Sequence, residues 1–244
     1  MSPMLEETTE LNPQAFILTS KTLEKFERLR LSDPASFEQA LQLLTNAQNA
    51  LFVPFLTKTP PQFVEFEFER FAYQFFSYRV SALALLLRAF GSSDFGARYV
   101  AALSKLSKTL SEKAPKWGLD PREIEETFSR YLTGAIRMFG ITSIGIEPDD
   151  NLKVVEVLKA ITKVDFGLTA IVLIFEESIV PEKWVLSKTL SLTSKSLDEY
   201  NQAVSSLFQN KKHADTIAGS LSMEGDLDQA LEKFNFALLS LFRR

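Results

Sequence analysis

At 244 residues, 45% of them apolar and 24% charged, the chain suits one large globular domain or two lobes and can bury a core without covalent staples. A formal net charge of −4 excludes a protein whose whole surface seeks nucleic acid and leaves only a local basic face for that role. The absence of Cys excludes disulfides and thiolate metal sites, and a single histidine, His213, excludes a His-rich one.

The opening stretch MSPMLEETTELN is acidic and has no apolar centre, which predicts no signal peptide and a cytoplasmic location. A first helix is expected from about Lys21 to Leu31, with Leu23, Phe26 and Leu29 facing inward. Asp33-Pro34 supplies a cap and a first-turn proline for a second helix, which carries Phe37, Leu41, Leu44 and Ala47 and meets Pro54. Thr59-Pro60-Pro61 is a firm break. A third and longest helix is expected over Gln62–Phe90. Its start, FVEFEFERF, alternates partly like a strand, but its length and the following SALALLLRAF favour helix. Past Val80 it is apolar on most faces, which makes it the expected central helix of the bundle.

A fourth, amphipathic helix is expected from Ser92 to near Pro115, with Tyr99, Leu103, Leu106 and Leu110 on one stripe. Asp120-Pro121 begins a fifth that reaches Met138. Residues 141–151, ITSIGIEPDDN, divide the chain into an N-terminal lobe (1–142) and a C-terminal lobe (143–244), unless the two form one continuous domain. A helix capped by Asp150 is expected to end near Ile161, with a separate apolar segment over Gly167–Ser178. The run KWVLSKTLSLT, residues 183–193, alternates like a strand and predicts a minor β ribbon. Helices follow over Ser196–Phe208, Ala214–Met223 and Asp226–Arg243. The expected fold class is all-α, a predominantly helical bundle. The apolar runs Val80–Phe90 and Phe166–Phe175 are interrupted by Arg88 or about half a bilayer long, so both read as buried helices and no membrane association is expected.

Catalytic equipment is sparse. Paired carboxylates such as Glu125 and Glu126, or Asp149 and Asp150, lie at helix starts, where the macrodipole already favours them. His213 has no second His to share a metal and no thiol to activate. No catalytic residue, metal ligand set or cofactor is predicted. The chain is instead rich in phenylalanine: of 21, six lie at Phe63, Phe66, Phe68, Phe71, Phe75 and Phe76. Base-stacking platforms interleave aromatics with cations, whereas these are interleaved with Glu65, Glu67 and Glu69. The cluster therefore reads as core or as a protein-partner surface, with Phe63 and Phe66 its candidate contacts. Phe236, beside the C-terminal stripe Leu227, Leu231, Phe234, Leu238 and Leu241, is a third. Arg98, Lys105 and Lys108 share one helix face, followed by Lys113 and Lys116. These five are the candidate nucleic-acid contacts. The segment Gly225–Ala237 matches the second half of a tetratricopeptide repeat, but no regular repeat accompanies it.

Four segments, taken in order, resemble the helical N-terminal part of the archaeal DNA primase large subunit. They are Phe76-Ser77-Tyr78 with the apolar helix after it, Arg98-Tyr99 with Ala102 and Lys105, Glu156-Val157-Leu158-Lys159, and Lys183-Trp184-Val185-Leu186 followed by SLTSKSLDEYNQAV. The resemblance spans roughly Val64–Phe208. That family's iron–sulfur domain has no counterpart here, because there is no Cys. The resemblance implies a non-catalytic accessory subunit that docks a catalytic primase subunit in DNA replication. A helical adaptor using the repeat-like hairpin to bind a protein or peptide is the alternative from another class. An enzyme with a pocket in the helical core is the third.

Overall fold

The protein is described from a computed structural model, which covers residues 19–24, 31–90, 108–126 and 151–208. Among these, 88% are helical and none lies in a strand, so the fold is all-α.

Helix α1 spans Ser20–Glu24 and α2 spans Pro34–Ala47. Asp33 caps α2 as its sequence predicts. One carboxylate oxygen accepts the Ser36 N–H at 3.1 Å and the other the Ser36 hydroxyl at 2.6 Å. These bonds, with the nearby Arg88, hold the Asp33 carboxyl below the usual range. The expected stop at Pro54 does not occur. Gln48–Phe52 instead widens into a π-turn in which the Val53 N–H reaches back to the Gln48 carbonyl. Pro54 then falls in the first turn of α3, Val53–Lys58, where its missing N–H is not needed.

A short 3-10 turn, Pro61–Phe63, leads into α4, Val64–Phe90, close to the expected long helix. Positions 64, 68, 71, 75, 79, 82, 86 and 89 are all buried, a spacing of three or four throughout. The strand-like alternation at its start arises because Phe63 and Phe66 fall on the outer face and Val64, Phe68 and Phe71 on the inner one. The end of α4 is tied to the start of α2: the Ser32 N–H donates to the Ala89 carbonyl at 2.6 Å and the Ser32 hydroxyl to the Arg88 carbonyl at 2.8 Å.

Residues 108–113 and 121–126 are helical, separated by the 3-10 turn Ala114–Trp117. Asp120 accepts the Arg122 N–H at 2.9 Å, as its place before Pro121 predicts.

Helix α5 spans Asn151–Phe175 without interruption. The expected break between Ile161 and Gly167 is corrected here. Residues 164–176 are all buried, which makes α5, more than α4, the enclosed helix of the described structure. Gly167 is not a breaker. A Cβ there would lie 2.0 Å from Thr193 Oγ1 and 3.1 Å from Phe68 Cζ, so glycine is what lets the helix that carries Thr193 approach. The end of α5 is a Schellman turn with Glu177 in the left-handed region at φ 60°: Ser178 N–H bonds to the Leu173 carbonyl and Glu177 N–H to that of Ile174.

Helix α6 spans Lys183–Phe208, so the β ribbon expected over 183–193 is absent. Its buried residues include Val185, Leu186, Thr189, Leu190, Thr193, Ser196 and Leu197, a helical period. The hydroxyls of Thr189, Thr193 and Ser196 donate to the carbonyls of Val185, Thr189 and Leu192, which satisfies them inside the bundle. The elements share one apolar cluster, to which residues on both sides of position 142 contribute. At its centre Phe166 of α5 stacks on Phe52 at 4.6 Å and meets Phe55, Phe68 and Phe75 edge-on at 5.3–6.1 Å.

Candidate partner-binding surface

Two of the six clustered phenylalanines stay outside the core. Phe63 is 53% exposed and Phe66 64% exposed, whereas Phe68, Phe71, Phe75 and Phe76 are buried. Phe63 ends the 3-10 turn and Phe66 stands in the first turn of α4. The acidic residues on either side of Phe66 are occupied within the chain. Glu65 pairs with Lys188 of α6 at 3.3 Å, and Glu67 pairs with Arg70. Arg70 also lies 4.4 Å from the Phe71 ring centroid.

Continuing along the same helix, Phe66, Glu69 and Tyr73 fall at i, i+3 and i+7, one line on the surface. Glu69 and Tyr73 form one wall of an open groove of about 450 Å³. Its floor holds Ala160 of α5 and Ala203 of α6, and its other walls carry Glu156, Lys159, Lys163, Glu199, Gln202 and Ser206. Lys163 pairs with Glu199 across the α5–α6 seam. The Tyr73 hydroxyl donates to Glu69 at 2.9 Å, and partial burial with that carboxylate beside it pushes the phenol up to about 12. Tyr73 is thus a neutral hydrogen-bond donor throughout the physiological range. The groove combines one ion pair, Lys163–Glu199, and the Tyr73–Glu69 hydrogen bond with an alanine floor.

The expected basic face is only partly within view. Arg98 and Lys105 lie outside the described residues, and Lys108 is exposed. Lys113 and Lys116 are engaged within the fold: Lys113 donates to the Phe175 carbonyl at 3.0 Å, and Lys116 pairs with Glu177. Lys21 joins them on the Glu176 carbonyl. Three lysines therefore gather where the α5 macrodipole is negative. Hydrogen bonding from Lys116 leads the effects that hold the Glu177 carboxyl below its ordinary range. Phe236, His213 and the repeat-like segment Gly225–Ala237 also lie outside the described residues.

Sequence reading did not find the groove, because its residues come from three helices whose mutual placement no local pattern encodes. It also missed a buried ion pair, Arg79 of α4 with Asp165 of α5 at 3.1 Å. Both residues are almost wholly enclosed. A charge immediately before each of the two apolar runs, Arg79 before Val80 and Asp165 before Phe166, was the available signal. Among the described residues no cluster of three or more metal-binding side chains occurs, and no helix is long and apolar enough to cross a membrane. Compared with known protein families, with curated proteins and with solved structures, the chain matches none.

Proposed function

We propose that this chain is a helical scaffold that binds a protein partner along the outer face of α4. The observation that carries the reading is the exposure of Phe63 and Phe66 at the end of an otherwise tightly packed aromatic segment. Two adjacent aromatics held by a rigid helix are the kind of anchor that dominates protein interfaces, since they bring large apolar area at little entropic cost. Of the neighbouring carboxylates Glu65 and Glu67 are already paired with Lys188 and Arg70, and Glu69 accepts the Tyr73 hydroxyl, so a partner does not have to meet a row of bare carboxylates there. The polar groove beyond Glu69 and Tyr73 extends the same line and supplies a rim for hydrogen bonding.

In its more specific form the proposal is an accessory subunit of a primase-like nucleotidyl transferase. That form is supported by the order of the four sequence segments alone. Purification from the native source with identification of the stoichiometric partner tests both forms. Hydrogen exchange of the complex should then show added protection over residues 62–74. A nucleotidyl transferase as partner supports the specific form. Any other stoichiometric partner leaves the general form standing and removes the specific one. Protection confined to other surfaces contradicts both.

A further inference from the structure

A small, partly open cavity lies where α1, the π-turn and α5 meet. Its polar lining comes from Thr19, Ser20, Gln48 and Thr169, and its apolar side from Phe52 and Phe75. The open volume is about 10 Å³, at the lower bound of the roughly 10–15 Å³ that one water molecule occupies. Thr169 is 2% exposed, and its hydroxyl oxygen is buried without a hydrogen-bond partner in the protein. The hydroxyls of Thr45 on α2 and of Thr189, Thr193 and Ser196 on α6 bond to the carbonyl four residues back, whereas on α5 that of Thr162, like that of Thr169, has no such partner. Across the cavity, the Ser20 hydroxyl and the Gln48 side-chain oxygen are joined by a long bond of 3.3 Å, which leaves lone pairs on both for a further donor.

We propose that this cavity is a binding site for one structural water molecule, which takes the Thr169 hydroxyl as one partner and the Ser20–Gln48 pair as the others. An orphaned hydroxyl in a low-dielectric interior is costly, and a water with two to four polar partners removes that cost. The site joins three elements. It links α1 to the middle of α5, while Lys21 links α1 to the Glu176 carbonyl just beyond the end of α5.

The sign of one substitution separates a wet site from a dry one. Thr169→Val keeps the shape and removes the hydroxyl. If the water is present, the full chain carrying this change loses one of the water's anchors, and the thermal midpoint should fall by about 2–4 °C. If the cavity is dry, the change removes an unsatisfied group and the midpoint should rise. An unchanged or raised midpoint overturns the proposal. Thr169→Ser, which keeps the hydroxyl, provides the second reading. A crystal structure of that variant and of the unmodified chain should show water density within hydrogen-bond distance of the residue 169 hydroxyl. Clear density for an empty cavity in both overturns the proposal independently of stability.

Discussion

At the scale of single residues, two contacts decide how the described helices fit. The first is the buried Arg79–Asp165 pair. Burial pushes the Asp165 carboxyl up to about 7, against the opposing pull of the Arg79 guanidinium. The unfolded chain releases this proton near 3.8, the folded chain near 7. Between those values the folded state binds more protons, so this group makes stability fall as pH rises from about 4 to about 7. Chemical denaturation across that range should show the slope, and Asp165→Leu should abolish it. The two ends of the pair are also unequal. A carboxyl can take up a proton when it loses its partner, whereas a guanidinium cannot shed one. Asp165→Leu should therefore cost about 3–5 kcal/mol, Arg79→Leu should cost less at pH 5, and the double replacement should be close to neutral. Equal costs for the two single changes at pH 5 would refute this asymmetry. The second contact is Gly167 against Thr193. Gly167→Ala should destabilise by about 1–3 kcal/mol through overpacking, although alanine is the better helix former. Thr193→Ala in the same chain should recover part of that loss. A more stable Gly167→Ala chain would show that the α5–α6 contact yields easily.

At the scale of elements, local chemistry was readable where one residue does one job. Asp33-Pro34 and Asp120-Pro121 announce caps, and the bonds at Ser36 and Arg122 carry them out. Reading failed where a residue type has two uses. Gly167 looks like a helix breaker, yet here it permits close approach between helices. The threonines and serines of KWVLSKTLSLT look like a strand, yet each buried hydroxyl is satisfied by its own helix. Pro54 looks like a stop, yet a π-turn absorbs it. Leu86, in the triple leucine of α4, is buried and Leu85 half-buried, so the helix packs along a stripe and does not bury every face. Leu86→Ala should still cost about 2–5 kcal/mol in a denaturant titration. An unchanged midpoint would mean that the end of α4 contributes little to the core.

At the scale of the whole molecule, the all-α class was legible because helical periodicity runs through most of the chain, and the aromatic segment announced where packing is densest. What the pattern left open was which phenylalanines point inward. Six in a short stretch cannot all share one helix face, and three of the four buried ones, Phe68, Phe71 and Phe75, meet Phe52, Phe55 and Phe166, which arrive from elsewhere in the sequence. The two left over define the surface on which the account rests. The groove beside them depends on the crossing of α4, α5 and α6, a long-range property that no short motif states. Because Phe63 and Phe66 make little use of the core, replacing both with Ser should leave stability within about 0.5 kcal/mol. The most direct measurement is therefore calorimetric titration of the co-purified partner against the unmodified chain and the Phe63→Ser/Phe66→Ser chain, with the thermal midpoint of each recorded alongside. An affinity loss of at least about tenfold with matching midpoints is expected. Equal affinities for the two chains would contradict it.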